Sequence, residues 1–167
     1  MILLGKALGS WSGMRKYLEK EMLADTLKGR VRYSCTTYPG MDGCYIFAVF
    51  IDNKPVKHFS FDTIYSYLGQ AGYKKEERTW SKMWDYIEQN PIHLRTEYID
   101  NEFADALCEY RNQDIKISIQ SNNPLVRMFA VLDRRIGKRT LDKLKNEIEE
   151  QPQWLQQFYM LRISAEL

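Results

Sequence analysis

Residues 30–61, RVRYSCTTYPGMDGCYIFAVFIDNKPVKHFSF, decide the fold of this chain of 167 residues. Within Arg30–Tyr38 apolar and polar side chains alternate, which is typical of a strand buried on one face. Cys44–Ile51 is an unbroken apolar and aromatic run, as expected of a central strand. Val56–Phe61 is the third strand candidate, and together the three segments predict one sheet.

The connections between these strands are short and rich in turn residues. Pro39–Gly43 combines proline, glycine and aspartate, and Asp52–Lys54 contains Asn53, which tolerates the positive φ that short hairpins require. Connections of this length join neighbouring antiparallel strands. The sequence therefore predicts a three-stranded antiparallel meander.

Helices are predicted on both sides of the meander. Before it, Ser12 is suited to cap a helix, and Gly29 is suited to the left-handed position that follows one. The apolar face of this helix carries Met14, Tyr17, Leu18 and Met22. After the meander, the apolar positions of a returning helix are Ile64, Tyr65 and Leu68. A small sheet with one apolar face must be covered, and we expect these two helices to cover it.

The second half of the chain shows a helical period. Beyond the charged loop Lys74–Arg78, apolar residues recur with a spacing of three and four. Helix starts are indicated near Thr79, Asp100, Asn123, Thr140 and Pro152. Gly137 is predicted to cap the C-terminus of the helix that begins at Asn123. Residues 115–119 fit a strand or a helical turn, and we favour a short helix because no partner strand is visible.

The predicted fold class is α+β: an N-terminal helix, a three-stranded antiparallel meander and a helix, followed by a C-terminal helical half. The length favours a single domain over residues 1–167. Within it we distinguish a helix-meander-helix unit, residues 14–68, and a helical subdomain, residues 79–167.

Composition and charge restrict the class of protein. The chain has 44% hydrophobic residues, enough for a substantial core. Its 24 basic and 22 acidic side chains nearly balance, which argues against a strongly anionic mimic and a strongly cationic nucleic-acid wrapper. No apolar run is long enough to span a membrane, and Ile2–Leu4 is too short for a signal peptide. We therefore predict a cytoplasmic protein with no membrane partner.

Simple catalytic and metal signatures are absent from the sequence. The cysteines Cys35, Cys44 and Cys108 are odd in number and lack a C-x-x-C spacing, so we expect reduced, buried thiols. The two histidines, His58 and His93, lie in unrelated contexts. Nucleophile elbows, phosphate-binding glycine loops and H-E-x-x-H patterns are also missing. The sequence accordingly predicts no catalytic residue, no cofactor and no metal.

The densest polar cluster, DRRIGKR, covers Asp133–Arg139. Its candidate interaction residues are Arg134, Arg135, Lys138 and Arg139. Guanidinium groups bind phosphate in a bidentate manner, so the cluster could contact a nucleic acid. The favoured interpretation is structural, because cations stabilise a helix C-terminus and Asp133 can pair with an arginine to hold a tight turn.

Two predicted helices are rich in aromatic residues. In the helix after Thr79, one face carries Trp80, Met83, Trp84 and Ile87, and we expect this stripe to be buried. The closing run Pro152–Arg162, PQWLQQFYMLR, would anchor a partner protein if its aromatic face were exposed. A final helix packed onto the core is the favoured explanation for that run.

Segments along nearly the whole chain resemble a family of small uncharacterised bacterial proteins. The most specific are the D-R-R-x-G-K-R-x-L motif at Asp133–Leu141 and the P-x-W-L-x-x-F-Y-x-L-R motif at Pro152–Arg162. The others are Trp11–Glu19, Leu27–Val31 and Asn123–Arg127. The resemblance begins after Met1–Ser10. It implies a bacterial, intracellular, single-unit protein and transfers no activity or catalytic residue, although some members carry a nonribosomal peptide synthetase label.

A well-made core without a catalytic constellation favours surface recognition as the function. The leading hypothesis is a non-enzymatic protein-interaction module, of an accessory or immunity type, whose partner is another protein. The alternative is a nucleic-acid-associated protein that uses the basic cluster at Asp133–Arg139. A third hypothesis is an enzyme whose site forms only in three dimensions. The sequence leaves the oligomeric state open.

The order helix, three strands, helix is also similar to the double-stranded-RNA-binding fold. The detail differs, because Lys74, Lys75 and Arg78 lie beyond the predicted second helix rather than at its start. Topology alone carries little functional weight.

Overall fold

A computed structural model describes residues 1–167 and shows the predicted α+β fold. The strands are β1 (Val31–Thr37), β2 (Tyr45–Ile51) and β3 (Lys54–Phe59). The helices are α1 (Trp11–Lys16), α2 (Phe61–Gln70), α3 (Trp80–Gln89), α4 (Asp100–Asn112), α5 (Ile115–Ser118), α6 (Pro124–Val131), α7 (Lys138–Leu144) and α8 (Gln153–Glu166). Short 3₁₀ turns lie at Asp25–Leu27, Lys75–Glu77, Ile92–Leu94 and Lys145–Glu150.

The sheet is the predicted antiparallel meander, in the order β1-β2-β3. Val31 pairs with Ile51 across the first hairpin, and Phe47 pairs with Phe59 across the second. Asp52 and Asn53 adopt positive φ angles of 50° and 68°, as the short second hairpin requires. The register between β2 and β3 shifts at Val49 and Phe50, which marks a bulge.

Strand β3 forms one edge of the sheet, and a buried lysine protects it. Lys57 pairs with Val49, a residue of the core-facing side, and is only 9% exposed. Its Nζ donates to the Thr96 carbonyl and lies 3.7 Å from a Glu97 carboxylate oxygen. Burial lowers the pKa of Lys57, and the Glu97 carboxylate opposes that shift. An inward-pointing charge and a bulge both discourage pairing with a further strand.

The N-terminal helix begins and ends earlier than predicted. The cap is Ser10 rather than Ser12, because the Ser10 hydroxyl accepts the Gly13 N–H at 3.2 Å. After α1 the chain forms a π-helical turn, Tyr17–Glu21, and leaves the helix. Gly29 does have a positive φ of 83°, but it follows the 3₁₀ turn Asp25–Leu27 and its cap Lys28, not the N-terminal helix.

Helices α4 and α6, and not α2, cover the sheet together with the N-terminal segment. The Phe103 ring of α4 stacks on Phe47 at 4.2 Å, and Phe129 of α6 lies 6.1 Å from Tyr33. Ile64 and Leu68 of α2 instead belong to a separate cluster of five buried residues. The prediction that α2 covers the sheet was therefore wrong. Apolar periodicity shows that a helix has a face to bury, but not the surface that this face meets.

The two hydrophobic clusters combine residues from both halves of the chain. The larger, with 32 buried residues, contains Tyr33 and Phe47 of the meander and Phe129 and Phe158 of the helical half. The smaller joins α2 to Met83 of α3 and to Ile99. The meander and the helical half therefore share the larger cluster.

Most helix starts in the second half follow the sequence prediction. Residues 115–118 form the short helix α5, and the Asn123 side chain caps α6, with Pro124 at its first position. Gly137 was wrongly predicted as a C-cap. Helix α6 ends at Val131, five turn residues follow, and Gly137 precedes α7 with a φ of −87°. Helix α7 consequently begins at Lys138 and not at Thr140.

The three cysteines are free and only partly buried, not fully buried as expected. Burial raises the pKa of the Cys35 thiol to about 12, which keeps it protonated at neutral pH. None of the helices combines the length and the apolar character needed to cross a membrane.

Candidate functional site

The predicted basic cluster folds as a corner around a buried carboxylate. Asp133 is 1% exposed and lies in the turn between α6 and α7. Nε and Nη2 of Arg135 donate to its two carboxylate oxygens at 3.0 and 2.8 Å, and the Arg135 backbone N–H donates at 2.7 Å. From α4, the Tyr110 hydroxyl also donates to Asp133. Each of the two carboxylate oxygens therefore accepts two hydrogen bonds, and these bonds hold the turn.

The ionisation of the corner follows from this geometry. The hydrogen bond to Asp133 raises the pKa of Arg135, so this guanidinium stays charged. Burial, and then the negative charge of Asp133, raise the pKa of Tyr110 well above its usual value. Both donors therefore keep their protons at neutral pH and none is poised for proton transfer.

Arg134 joins the corner to the N-terminal segment. Its backbone N–H donates to the Met22 carbonyl and its Nε to the Glu21 carbonyl, both at 2.8 Å. Leu23 and Asp133 also form an isolated β-bridge. The corner thus connects the end of the π-helical turn to the start of the last helices.

The last helix completes the corner through Arg162, which is buried. Its Nη2 donates to the Ile136 carbonyl at 3.0 Å and its Nη1 to the Val131 carbonyl at 3.3 Å. Val131 is the last residue of α6, whose terminal carbonyls have no partner within the helix. Burial lowers the pKa of Arg162, and Glu166 opposes that effect. The two motifs quoted from the sequence therefore meet in space, one supplying the turn and the other the donor.

All four candidate interaction residues are exposed, but they differ in their contacts within the chain. Arg134 and Arg135 donate to groups of the chain itself, whereas Lys138 and Arg139 are exposed in the first turn of α7. The first turn of a helix disfavours cations, so these two side chains do not stabilise α7 through its dipole. The structural interpretation is thus supported for Asp133–Arg135 and not for Lys138 and Arg139.

A second surface, which the sequence did not indicate, lies on the α2–α3 hairpin. Four aromatic side chains of the molecule are exposed, and all four belong to this hairpin: Tyr67, Tyr73, Trp80 and Trp84. We call these four residues the aromatic surface. Trp80 and Trp84 are 43% and 42% exposed and lie one helical turn apart on α3. Two exposed tryptophans one turn apart on a helix are unusual on a surface without a partner.

Both tryptophans are held against one buried ring of α2. The Phe61 ring centroid lies 4.7 Å from that of Trp80 and 5.5 Å from that of Trp84, both in edge-to-face arrangements. Thr79 caps α3 by accepting the Lys82 N–H at 3.2 Å, which holds the first turn where Trp80 lies. The indole rings are therefore presented on a defined support and are not free to collapse inward.

The loop between α2 and α3 is braced by Arg78. Its guanidinium lies 4.4 Å from the Tyr65 ring, and a Cβ at Gly69 would approach Arg78 Nη1 to 2.7 Å. Beyond this contact, Tyr67 and Tyr86 lie 4.8 Å apart and Lys82 Nζ lies 5.0 Å from the Tyr73 ring. A cleft of about 360 Å³ opens between these tyrosines. The hairpin presents aromatic side chains on a rigid, locally packed support.

The prediction from the sequence that these two tryptophans are buried was wrong. The apolar stripe of this helix predicts that Trp80 and Trp84 are buried together with Met83, but of these three only Met83 is buried. A helical apolar stripe looks the same whether a neighbouring element or an external partner covers it. One feature of the sequence does indicate exposure: the segment around these tryptophans contains few aliphatic residues, too few to enclose two indole rings.

The remaining candidates from the sequence are not brought together. His58 lies exposed on β3, and His93 lies exposed in the turn Ile92–Leu94. No three histidine, cysteine, aspartate or glutamate side chains lie close enough together to hold a metal ion. The closing run packs onto the core as expected, with Leu155, Phe158 and Tyr159 buried.

The fold and the corner define a small α+β protein built around a meander and a buried Asp133 carboxylate. A protein-family model for the SF0329 protein family matches residues 10–163, and the chain belongs to that family. The match begins at residue 10, one residue before the resemblance found in the sequence, which begins after Met1–Ser10. Searches of curated proteins and of solved structures found no match.

Proposed function

We propose that this protein is a non-enzymatic protein-interaction module that binds its partner through the aromatic surface. The observation that carries the proposal is the confinement of all four exposed aromatic side chains to one helical hairpin. Tryptophan and tyrosine dominate the binding energy of protein interfaces because they bury a large area at low conformational cost. The partner is another protein, and the cytoplasmic location indicated by the sequence is part of the proposal.

The construction of the hairpin supports this role. Because Phe61 supports both indole rings, Trp80 and Trp84 lose little conformational freedom when a partner covers them. The gap between two tryptophans one helical turn apart suits a single apolar side chain of the partner. We therefore expect the partner to insert an apolar residue there and to place polar groups around the rim.

The test compares the wild-type protein with a double variant, Trp80→Ala/Trp84→Ala. Affinity capture from a native lysate should return one stoichiometric partner with the wild type and none with the double variant. In calorimetry with the purified partner, the double variant should bind at least about 30-fold more weakly, as for a hot spot of about 2 kcal/mol. A matched control is Met160→Ala, because Met160 is an exposed apolar residue on α8.

Each indole is only partly buried, so each alanine substitution should cost roughly 1–2 kcal/mol of stability and the variant should remain folded. Circular dichroism and urea denaturation check this. Equal capture by the wild type and the double variant contradicts the proposal. Equal loss of binding in the Met160→Ala control contradicts it as well.

A nucleic-acid-associated role is the second candidate, and Lys138 and Arg139 carry it. Both are exposed and neither forms an ion pair within the chain. Arg134 and Arg135, proposed from sequence as further contacts, donate to the Glu21 carbonyl and to Asp133. Because these two arginines already bond within the chain, only Lys138 and Arg139 have no internal role that would explain them, and we favour the protein partner.

A further inference from the structure

A further feature of the molecule is a basic cleft beside β1. The cleft has a volume of about 510 Å³ and lies between α1, the π-helical turn and the first residues of β1. Its lining includes four cations, Arg15, Lys20, Lys28 and Arg32, and one carboxylate, Glu19. Neither the basic corner nor the aromatic surface contributes to it.

The only carboxylate of the lining is already engaged. One Glu19 oxygen accepts Arg15 Nε at 2.8 Å, and the other accepts the Tyr33 N–H at the edge of β1 at 3.2 Å. Glu19 is therefore a positioning residue, because it holds the Arg15 side chain against the strand while the Nη atoms of Arg15 make no hydrogen bond within the chain.

The remaining cations are weakly compensated. Lys28 pairs with Asp25 at 2.8 Å, but the Asp25 side chain is 84% exposed, and pairs of this kind contribute little in water. Lys20 and Arg32 have no carboxylate within salt-bridge distance. The guanidinium of Arg32 lies 5.6 Å from the Phe50 ring, which fixes its position beside the sheet. With four cations and one carboxylate in its lining, the cleft keeps a net positive charge.

The π-helical turn is the element that builds this arrangement. The Met22 N–H donates to the Tyr17 carbonyl, so one extra residue enters the turn that carries Glu19 and Lys20. Turns of this kind occur frequently at functional sites because they redirect side chains out of the regular helical pattern. In this molecule the turn directs Glu19 to β1 and leaves Lys20 on the wall of the cleft.

From these observations we propose that the cleft binds a small phosphorylated ligand, with Arg15 and Arg32 as guanidinium donors and Lys20 and Lys28 as point charges. Guanidinium groups match the oxygen geometry of phosphate, and lysine adds charge without directional demands. The volume lies in the range of small-molecule sites. The exposed Asp25 carboxylate pairs with Lys28 of the lining and interrupts the positive surface, which favours a compact anion over an extended nucleic-acid backbone.

The test uses inorganic pyrophosphate as the probe, titrated calorimetrically into the full chain at low ionic strength, with sodium chloride of matched ionic strength as the blank. Wild-type protein should bind with one site. Arg32→Ala and Lys20→Ala should each weaken binding about tenfold, the effect of one lost charge-assisted contact. Lys116→Ala removes an exposed cation of α5, outside the cleft, and should leave the affinity unchanged.

Denaturation midpoints check that each variant is folded, and because Lys20 is exposed, its substitution is expected to leave the fold intact. Absence of binding by the wild type overturns the proposal, as does an equal loss in Lys116→Ala. A single-stranded RNA of about ten nucleotides is titrated in parallel. Binding of RNA with no binding of pyrophosphate also overturns the proposal. Since the cleft and the aromatic surface share no residue, this result is independent of the partner-binding experiment.

Discussion

In the corner after α6 a carboxylate is buried and its charge is paired, whereas in the α2–α3 hairpin aromatic side chains are exposed to water. Asp133, a residue type that is rarely buried, is 1% exposed, and Trp84 is 42% exposed. The corner uses its charges to hold one turn of the chain against three other segments. The hairpin instead keeps apolar area that its own small cluster does not enclose.

This difference shows which conspicuous sequence features are available to a partner. The DRRIGKR cluster stands out in the sequence because it is dense in charge, yet its first three residues form internal contacts. The tryptophans of α3 have the spacing of core residues, yet they lie at the surface. Residue type shows what chemistry each region can perform. Only the fold shows whether those side chains face the interior of the protein or the solvent.

We expect the largest effect from a variant that removes the buried negative charge of the corner, the Asp133 carboxylate. Asp133→Ala leaves the buried Tyr110 hydroxyl without its acceptor and removes the partner of Arg135, whose side chain is 37% exposed. The loss of these charge-assisted hydrogen bonds should cost about 3 kcal/mol of the free energy of unfolding, measured by urea denaturation. The near-isosteric Asp133→Asn is the control and should lose less, since its amide oxygen still accepts one hydrogen bond. A loss below about 1 kcal/mol for Asp133→Ala would show that the corner does not hold the fold.

The strands and several helix starts could be predicted because their signals are local. The alternation in β1, the turn at Asn53 and the Asn123-Pro124 pair each act within a few residues. The covering of the sheet depends instead on Phe103 meeting Phe47, residues that lie far apart in the chain. No periodicity within one segment carries that information, so the prediction of α2 as a cover failed for a physical reason.

The candidate sites were predictable to a smaller degree. The pairing of Asp133 with an arginine was anticipated, because the two residues lie two positions apart and share one turn. The contributions of Tyr110 and Arg162 were not, since both come from distant helices. The basic cleft likewise forms only when the fold brings α1 and the π-helical turn next to β1, so that Arg15 and Arg32 line the same cleft.

The next prediction concerns the pH dependence of the free energy of unfolding, which reports on the buried tyrosines around the corner. Burial raises the pKa of Tyr33 far above its usual value of about 10, and the charges of Glu19 and Asp133 add to that shift. A raised pKa in the folded state stabilises the fold fully below pH 10, and this stability is lost as the pH rises above that value. Each such tyrosine should lower the free energy of unfolding by roughly 1.4 kcal/mol for each pH unit above about 10.

Urea denaturation between neutral pH and about pH 11 measures this slope, and Tyr33→Phe should make it shallower by the contribution of one group. The stability of the same variant at neutral pH is the control for packing changes, because a lost hydroxyl acts at every pH. An unchanged slope in Tyr33→Phe would show that the fold admits water to this ring.

The smallest expected effect belongs to the exposed part of the basic cluster. Lys138→Ala/Arg139→Ala removes two cations that form no ion pair, so the free energy of unfolding should change by no more than about 0.5 kcal/mol. A loss comparable with that of Asp133→Ala would mean that the whole cluster is structural.

The same double variant also tests the hypothesis of a nucleic-acid-associated protein. A wild-type protein that binds RNA or DNA should lose affinity steeply between roughly 50 and 200 mM salt, and the double variant should lose it further. If the wild type retards no nucleic acid even at low salt, these two exposed cations have no nucleic-acid role and the aromatic surface remains the candidate for partner binding.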